Sequence, residues 1–372
     1  MIFFILTFLC LYGGINVYAF FRARSFFHFS GFPQTIIIIV LILLIFAPIL
    51  VRIAEAYHHE FLARAIAYTG YIWMAFVFLF FFFNVSFNII VFLYKLTGSE
   101  AASLSLRNLS FGAAVFLAII LVVYGFIDAR NIRVKTLQVK TEKILPNNGK
   151  IRIVQISDVH VGLMIRDNRL QAILDRVSEA KPDILVSTGD LMDGDLDNVM
   201  PQARRFTSIT PKYGKYAILG NHEYYAGLNR SLEFTRAAGF EMLRDDVRQI
   251  AGISIFGADD ITGQKMGLSK DKRLFEEMLA RQGNGFVLLL KHQPFVVNEE
   301  NYNLQLSGHT HGGQIFPFML VTRLFFPKNN GYYELGRNKS VYITSGAGTW
   351  GPPVRVFVPP EITVIDLIGN KN

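Results

Sequence analysis

The stretch "IRIVQISDVH", residues 151–160, places two metal-binding residue types directly after a run typical of a buried strand. Isoleucine and valine dominate the run, and Asp158 and His160 follow it at once. Strands and helices alternate through residues 151–372, which predicts an α/β fold whose strand ends meet at one place. The same succession of an apolar strand and then Asp, His or Asn returns in "DILVSTGD" (183–190), "YAILGNHE" (216–223), "FVLLLKHQP" (286–294) and "LQLSGHTH" (304–311).

Five strand ends of this kind predict a metal site. One polar strand end means little, but five drawn from the ligands of divalent metals are not expected from solvated loops. His309 and His311 are neighbours, because residues i and i+2 of an extended segment face the same way. Oxygen and imidazole donors without a thiolate suit manganese, iron or zinc. The candidates exceed the needs of one ion, so we expect two. They are Asp158, His160, Asp190, Asn221, His292, His309 and His311.

The blocks "DVH", "GDLMD", "GNHE", "KHQP" and "GHTH" stand in the order, and at roughly the spacing, of the calcineurin-like metallophosphoesterases. The chain resembles that family from residue 151 to about residue 368. Its tail, "VYITSGAGTWGPPVRVFVPPEITVIDL", is similar to a bacterial branch whose members are often membrane-tethered. The resemblance implies a two-sheet β-sandwich flanked by helices, with the site at the loop ends. It also implies hydrolysis of a phosphoric ester by a hydroxide that bridges two metal ions.

The roles of the family transfer to this chain residue by residue. The resemblance implies that Asp190 bridges both ions. It implies that His222, next to Asn221, is the general acid or a phosphate-binding group, which suits an imidazole because it titrates near neutral pH. The remaining ligands divide into Asp158, His160 and His311 for the first ion and Asn221, His292 and His309 for the second.

The first third of the chain is far more apolar than the rest. Four runs carry no charged residue and are long enough for membrane-spanning helices, so we predict four spans. The first has no basic residue before its apolar core, which favours an uncleaved span over a signal peptide. Asn84 and Asn88 in the third run favour a hydrogen bond to a neighbouring helix over a polar path through the membrane. The runs are 1–21, 25–51, 65–94 and 108–127.

These patterns divide the chain into three parts. Residues 1–128 are predicted to form a transmembrane region, residues 129–150 a linker with the leading strand of a β-hairpin, and residues 151–372 the metallophosphoesterase domain. The hairpin is expected because "VKTLQVKTEKI" (134–144) alternates polar and apolar residues, and the turn-forming "PNNG" (146–149) precedes the next strand.

The net charge of +8 favours attraction to an anionic membrane surface. The basic residues form no stripe interleaved with aromatic residues, so we expect no nucleic-acid partner. The single cysteine, Cys10, excludes disulfides within the chain.

With four spans, seven Lys or Arg residues near the membrane share the side of the catalytic domain and four lie opposite. This favours a multi-pass protein of the cell membrane with its catalytic domain in the cytoplasm.

The resemblance and the spans together favour a membrane-anchored, metal-dependent phosphoesterase. Its substrate would be a phosphodiester or pyrophosphate, in a small molecule or a lipid. Phosphoprotein phosphatases of the family carry a GDxxDRG block, whereas this chain reads "GDLMDGD" (189–195) without the arginine. Two alternatives stay open: a lipid enzyme similar to UDP-2,3-diacylglucosamine pyrophosphatase, and a catalytically inactive membrane sensor or binding module. Inactive modules usually lose ligands, whereas every candidate ligand is present here.

Four further features carry weaker predictions. Asp193 and Glu223 closely follow their motifs, and we favour hydrogen bonds between them and ligand histidines over direct metal ligation. Arg355 is either a phosphate contact or a surface arginine. The apolar stretch "FPFMLVTRLFFP" (316–327) either packs in a core or docks on the membrane and receives an acyl chain.

Overall fold

The chain divides into two compact units. The first comprises Met1–Ile127 and Gly351–Val356, and the second comprises Asp128–Trp350 and Phe357–Asn372. The computed structural model describes residues 2–96, 103–145, 149–194, 199–269, 272–280, 285–296, 301–336 and 338–371.

The first unit is built of mostly apolar helices. They are α1 (Ile2–Phe27), α2 (Phe32–Ile45), α3 (Ala47–Ala56), α4 (Glu60–Lys95) and α5 (Ser103–Asp128). Among the described residues, three stretches are long and apolar enough to cross a membrane: Leu6–Phe27, Glu60–Lys95 and Leu106–Asp128. The α2–α3 pair adds a fourth only if the two bent helices form one span. Length and composition therefore support three of the four predicted spans outright, and the fourth only in broken form.

The second apolar run, residues 25–51, is broken near its end, between Ile45 and Ala47. Helices α2 and α3 meet at an angle of 60°, and Pro48 lies in the first turn of α3. In a continuous helix proline removes one backbone hydrogen bond, and its ring clashes with the carbonyl four residues earlier, here that of Leu44. The prediction of one span rests on the absence of charged residues, and proline is uncharged, so the prediction misses this break.

Polar side chains within the first unit hydrogen-bond to one another. The Oδ1 atom of Asn84 on α4 accepts from the Tyr18 hydroxyl at 2.7 Å and from Arg22 Nε at 2.8 Å, both on α1. Its Nδ2 atom donates to the carbonyl of Ser110 on α5 at 3.3 Å. The expected hydrogen bond from Asn84 to a neighbouring helix is confirmed. Helix α1 also continues past its uncharged run and includes the buried Arg22.

A short segment late in the chain belongs to the first unit. The backbone N–H of Arg355 donates to the carbonyl of Gly125 at 2.9 Å. A Cβ atom on Gly125 would lie only 2.6 Å from Val354 and 2.8 Å from Val356. Arg355 is completely buried, so the surface-arginine interpretation is wrong. The predicted partition has no such return of the chain, because six residues rich in proline carry no periodicity that would indicate it.

The described part of the second unit contains two six-stranded sheets, ordered β1-β12-β2-β3-β4-β5 and β10-β11-β9-β8-β7-β6. The strands are β1 (Arg133–Leu145), β2 (Lys150–Ile156), β3 (Ile184–Ser187), β4 (Lys215–Ala217), β5 (Glu241–Met242), β6 (Asp246–Ile250), β7 (Ile253–Gly257), β8 (Phe286–Leu290), β9 (Leu304–Ser307), β10 (Gly331–Gly336), β11 (Lys339–Ile343) and β12 (Glu361–Lys371). Both sheets mix parallel and antiparallel pairs. The predicted α/β fold with two sheets is therefore confirmed.

The two sheets share a core and carry helices on their outer faces. Ile153 of β2 and Leu288 of β8 belong to one buried cluster, so the sheets face each other. Leu170 and Phe234, on the sixth and ninth helices, pack on the outer face of the first sheet. Phe275 on the eleventh helix packs on the second sheet. The helices of this unit are α6 (Asp167–Glu179), α7 (Met200–Arg205), α8 (Asn221–Tyr225), α9 (Leu228–Ala237), α10 (Ile261–Lys265), α11 (Lys272–Ala280) and α12 (Phe318–Phe325).

The predicted hairpin of β1 and β2 is wrong. Strand β1 pairs in parallel with β12, with Arg133 opposite Glu361. Strand β12 then pairs with β2 in antiparallel orientation and so lies between the two strands. An alternating pattern identifies a half-buried strand but does not identify its partner. Of the turn expected at 146–149, residues 146–148 lie outside the described residues.

Candidate metal centre

The predicted metal ligands lie in the loops that follow five strands, three from the first sheet and two from the second. Parallel pairing aligns β2 with β3, β3 with β4, and β8 with β9, so their carboxyl ends meet at the same edge. The structure brings all seven predicted ligands to this edge. They are Asp158 and His160 after β2, Asp190 after β3, Asn221 after β4, His292 after β8, and His309 and His311 after β9.

Asp158, His160 and His311 form the first group of potential ligands. Each is buried and offers one ligand atom, and these atoms all lie within 4.8 Å of one another. The Nε2 atoms of His160 and His311 are 3.0 Å apart. The Oδ1 atom of Asp158 lies 3.5 Å from Nε2 of His311. One small ion would reach all three side chains.

The second group gathers around His292. Asp190, His292 and His309 offer ligand atoms within 4.8 Å of one another. The Nε2 atom of His292 lies 3.2 Å from Oδ2 of Asp190 and 3.2 Å from Nδ1 of His309. It also lies 3.1 Å from Oδ1 of Asn221, which brings the amide oxygen of that residue into the same group.

Asp190 faces both groups. Its Oδ2 atom lies 3.2 Å from Nε2 of His292 and 3.9 Å from Nε2 of His160. Its Oδ1 atom accepts from the backbone N–H of His222 at 2.9 Å. Burial raises the pKa of Asp190, but the charges of His292 and His222 outweigh burial and hold that pKa well below its usual range. An ionised carboxylate between the groups is the arrangement that a bridging ligand requires.

The chemistry of the donors fits divalent metal ions. Two pairs of imidazole nitrogens approach to 3.0 and 3.2 Å, where their lone pairs repel unless a proton or a cation lies between them. The Nδ1 atom of His292 lies 2.8 Å from the carbonyl of Thr188. Nδ1–H therefore donates there, and loss of the Nε2 proton would turn a lone pair toward the other ligands. Burial and the neighbouring His292 lower the pKa of His309 to about 4, so His309 is neutral at pH 7 and able to bind a metal.

Five of the seven predicted ligands have left-handed backbone conformations. The φ angle is 51° at Asp158, 54° at His160, 52° at Asp190, 73° at His309 and 49° at His311. Such a conformation costs on the order of 1–3 kcal/mol per residue and persists only where the surroundings enforce it. No pattern in the sequence marks this strain beyond the choice of Asp and His, which adopt the region more readily than most residues.

Glu223 supports the strained loops. Its buried carboxylate accepts from the backbone N–H groups of Gly220 at 2.7 Å, Asp190 at 2.9 Å and Leu191 at 2.6 Å. The carboxylate thus joins the loop after β3 to the loop after β4. The predicted hydrogen bond between Glu223 and a ligand histidine is wrong, because four backbone donors, with Met192 at 3.4 Å as the fourth, occupy its oxygens.

Asp193 lies between two histidines. Its Oδ1 atom is 3.4 Å from Nδ1 of His160 and 3.1 Å from Nδ1 of His222. The contact with His160 does not have hydrogen-bond geometry, so the predicted hydrogen bond to a ligand histidine is not confirmed. Asp193, His160 and His222 instead offer ligand atoms that lie within 4.8 Å of one another. Burial by itself lowers the pKa of His222, but the charges of Asp190 and Asp193 outweigh burial and raise it to about 9. His222 is therefore protonated at neutral pH.

Aromatic side chains lie beside the two groups, and no pattern in the sequence marks Tyr225 or Trp350 among them. The ring of His222 lies 5.8 Å from Tyr225 and 5.9 Å from Trp350, both of which are exposed. The ring of His309 lies 5.3 Å from Phe326. Phe326 directly follows α12, which contains no buried residue. The core-packing interpretation of the stretch 316–327 is therefore wrong for this helix.

Comparison with known proteins identifies the domain. Residues 151–313 match the calcineurin-like phosphoesterase family. The chain is 38% identical to an uncharacterized metallophosphoesterase of Aquifex aeolicus, over 69% of this chain and 100% of that protein. It is 36% identical to an uncharacterized metallophosphoesterase of Campylobacter jejuni, over 68% of this chain and 69% of that protein. It is 30% identical to a Danio rerio protein named transmembrane protein with metallophosphoesterase domain, over 68% of this chain and 62% of that protein.

The matched region and the geometry agree. All seven residues of the two ligand groups fall within residues 151–313. The Aquifex aeolicus relative aligns over its full length. The chain belongs to the calcineurin-like metallophosphoesterase family.

Proposed function

We propose that this protein is a membrane-anchored phosphoesterase that hydrolyses phosphodiester or pyrophosphate bonds at a two-metal centre. The observation that carries the proposal is the meeting of two ligand groups at Asp190. Asp158, His160 and His311 would hold one divalent ion, of manganese, iron or zinc. The second ion would be held by Asn221, His292 and His309, with Asp190 shared between the two.

Two divalent ions, when bound, supply an activated water nucleophile and neutralise charge on the phosphoryl oxygens. The side chains around them hold the reacting groups and move the proton. His222 is protonated at neutral pH, and its Nδ1 atom faces Asp193 at 3.1 Å. Its Nε2 proton is then available to the leaving oxygen, so His222 acts as the general acid. Asp193 would keep the imidazole in this orientation.

The surroundings of the centre favour a diester or pyrophosphate over a phosphoprotein. The loop after β3 reads "GDLMDGD" and has glycine where phosphoprotein phosphatases of the family have arginine next to the second aspartate. Exposed Tyr225 and Trp350 beside His222 offer flat apolar surface to an organic group on the far side of the phosphate. A lipid-linked phosphate suits a chain with three or four apolar helices.

The proposed function is tested with the purified full-length chain after reconstitution with manganese. We expect close to two ions per chain, and we expect hydrolysis of bis(4-nitrophenyl) phosphate that stops with a chelator and returns with manganese. A phosphoserine peptide should be hydrolysed far more slowly. Fewer than one ion per chain, together with no hydrolysis, would instead support the inactive sensor or binding module.

UDP-2,3-diacylglucosamine tests the more specific lipid alternative. Release of UMP at a rate well above the rate on the model diester would favour a pyrophosphatase of nucleotide-linked lipids. Hydrolysis of the model diester without UMP release would retain the phosphoesterase and eliminate this substrate.

The proposal includes a multi-pass location with the catalytic domain in the cytoplasm. It is supported by the seven basic residues on that side against four on the other, counted with four spans. The test replaces Cys10 with serine and the exposed Gln249 with cysteine. A membrane-impermeant maleimide should label this cysteine only after lysis. Labelling in intact cells would place the domain outside.

A further inference from the structure

Helix α12 exposes an apolar surface that the catalytic centre does not explain. Leu324 and Phe325 are 80% and 70% exposed, and no residue of the helix is buried. Phe318, Leu320 and Val321 are also exposed on it. Soluble surfaces rarely place so many large apolar side chains side by side, and such patches commonly mark sites of association.

This helix is held firmly beside the metal centre. Its Met319 lies against Gly313, where any Cβ atom would overlap the Met319 backbone. Asn329 donates to the Thr322 hydroxyl at 3.1 Å, and the Thr310 hydroxyl donates to the carbonyl of Asn329 at 2.5 Å. Thr310 stands between the two histidines of the last ligand loop, so α12 has a fixed position next to those ligands.

The apolar surface continues from the helix to the ligands. Phe326 lies 5.3 Å from the ring of His309 and 5.2 Å from the ring of Phe295. Phe295 is itself 45% exposed. A molecule lying along α12 would therefore reach the second ligand group over an unbroken aromatic surface.

The charges around the helix identify its partner as a lipid bilayer. Arg323 lies on α12 and Lys328 follows it, whereas no acidic residue occurs between Glu300 and Glu334. An apolar helix with basic flanks is typical of segments that lie in the interface of an anionic membrane. Only residues 129–132 separate the apolar helix α5 from strand β1, so a membrane that holds α5 stays within reach of the domain.

We propose that α12, Phe326 and Phe295 form a membrane-docking surface that presents the metal centre to phosphate esters held in the bilayer. The inference rests on the proposed membrane location and narrows the substrate to esters with an acyl chain. The eight residues of α12 span about 12 Å, enough for shallow insertion of one apolar face. The acyl chain would then lie along the helix while its phosphate reaches the ligands beside Phe326.

Quenching of a fluorophore tests the docking surface without any turnover. The full-length chain with Cys10→Ser and Leu324→Cys is labelled with an environment-sensitive dye and placed in lipid nanodiscs. The control carries Gln249→Cys in place of Leu324→Cys. Gln249 is exposed on β6, which forms one edge of the second sheet, whereas β10 forms the other edge. Nitroxides on the lipid acyl chains should quench the dye at position 324 severalfold more than at 249, and aqueous iodide should show the reverse preference.

Two results would overturn the docking surface. Equal access of iodide to positions 324 and 249 would show that α12 faces water. Shielding of position 324 from both quenchers would show that protein covers it, for example a second copy of the chain. Either result leaves the proposed hydrolysis of soluble diesters untouched, so the two failures are distinguishable.

Kinetics supply a second test. Leu324→Glu with Phe325→Glu adds two charges at exposed positions outside the metal centre. Ser178→Glu with Gln249→Glu adds the same charge at distant exposed positions as a matched control. We expect the first pair alone to slow hydrolysis of a phosphate ester carried by vesicle lipids by tenfold or more, with hydrolysis of the soluble diester unchanged. Equal rates on the vesicle ester for both pairs would contradict the proposal.

Discussion

The side chains at the centre also organise the strained backbone that carries them. The carboxylate of Asp158 accepts the backbone N–H of His309 at 2.9 and 3.1 Å. Asp190 accepts the N–H of His222, and Glu223 accepts four further N–H groups. Loops from different strands are therefore joined by carboxylates as well as by backbone hydrogen bonds, such as that from the N–H of Asp158 to the carbonyl of Gly189 at 3.0 Å. Substitutions at these carboxylates distinguish a role in stability, which thermal unfolding measures, from a role in hydrolysis, which the reaction rate measures.

Asp190→Asn tests the shared ligand. The amide keeps an oxygen for the N–H of His222, so the domain should stay folded, but the loss of charge weakens both ion sites. We expect hydrolysis of the model diester to fall by more than the roughly 10–100-fold typical of changes around metal ligands. Metal content and rate are measured beside Asp175→Asn, an exposed acid on α6. Retained hydrolysis would refute the bridging assignment.

Glu223→Ala tests the structural carboxylate. It leaves the buried N–H groups of Gly220, Asp190 and Leu191 without their acceptor, at about 1–3 kcal/mol for each donor that stays unpaired. We expect a clear drop in the thermal unfolding temperature of the purified protein. Glu223→Gln keeps one acceptor oxygen and should lose less. If both variants unfold at the temperature of the unchanged protein, the carboxylate is not needed to hold the loops.

At the scale of elements, close packing of loops sets the ligand positions. Gly308 directly follows β9 and begins the ligand turn, and a Cβ atom there would overlap the side chains of Ser157 and Asp158. Gly308→Ala should displace Asp158 and lower metal content by about one ion per chain. In the control Gly285→Ala, the nearest atom to the new Cβ lies 3.8 Å away, so metal content should not change. Full occupancy in Gly308→Ala would show that the loop has room to adjust.

The pairing of β12 with β2 has its own pH dependence. Asp366 lies opposite Arg152, with Nε–Oδ1 at 2.8 Å and Nη2–Oδ2 at 3.1 Å, and accepts from Lys150 at 3.0 Å. The hydrogen bond from Arg152 lowers the pKa of Asp366. A carboxylate whose pKa is lower in the folded protein than in the unfolded chain stabilises the fold at pH values above about 3.9, the pKa of an unfolded aspartate. This stabilisation is lost as the pH falls through the folded-state pKa.

Asp366→Asn should therefore destabilise the protein by about 1 kcal/mol at pH 7, since Arg152 is one-third exposed. The difference from the unchanged protein should shrink as the pH drops below about 4. Thermal unfolding across this pH range measures it, with Glu233→Gln, at an exposed position on α9, as the control. A difference that does not vary with pH would mean that packing, not charge, holds the pair.

The sequence predicts local elements and their chemistry better than it predicts their partners. The strands ending near Asp158, Asp190 and His309 are predictable, because an apolar run followed by ligand residues is a local pattern. The partner of β1 is not, since Glu361 lies more than 200 residues away along the chain. The left-handed backbone at the ligands and the four backbone donors to Glu223 depend on loops that meet only in the folded domain.

At the scale of the whole molecule, the chain enters the second unit at Asp128, leaves it after Trp350 and re-enters it at Phe357. Everything after the re-entry leads to β12, which lies inside the first sheet rather than at its edge. The first sheet of the second unit therefore receives an inner strand only after this late re-entry of the chain.

Deletion of residues 361–371 should prevent the second unit from folding. It removes the partner of both β1 and β2 and leaves two unpaired edges in the first sheet. Limited proteolysis should then degrade the region from residue 128 onward, and metal binding should be lost. Asn370→Ala, which removes only one side-chain hydrogen bond to Glu142, should leave the protein resistant. A protease-resistant, metal-binding deletion variant would contradict the central role of β12.

The position of β12 also imposes an order on biogenesis. Helix α5 ends at residue 128, so more than 230 residues leave the ribosome between the last apolar helix and the end of β12. At typical rates of translation this takes on the order of 10–50 s. A translocon would receive the apolar helices throughout that time, while the first sheet still lacks its inner strand. With the proposed membrane location, the catalytic domain would complete its folding only after its apolar helices have been delivered to the bilayer.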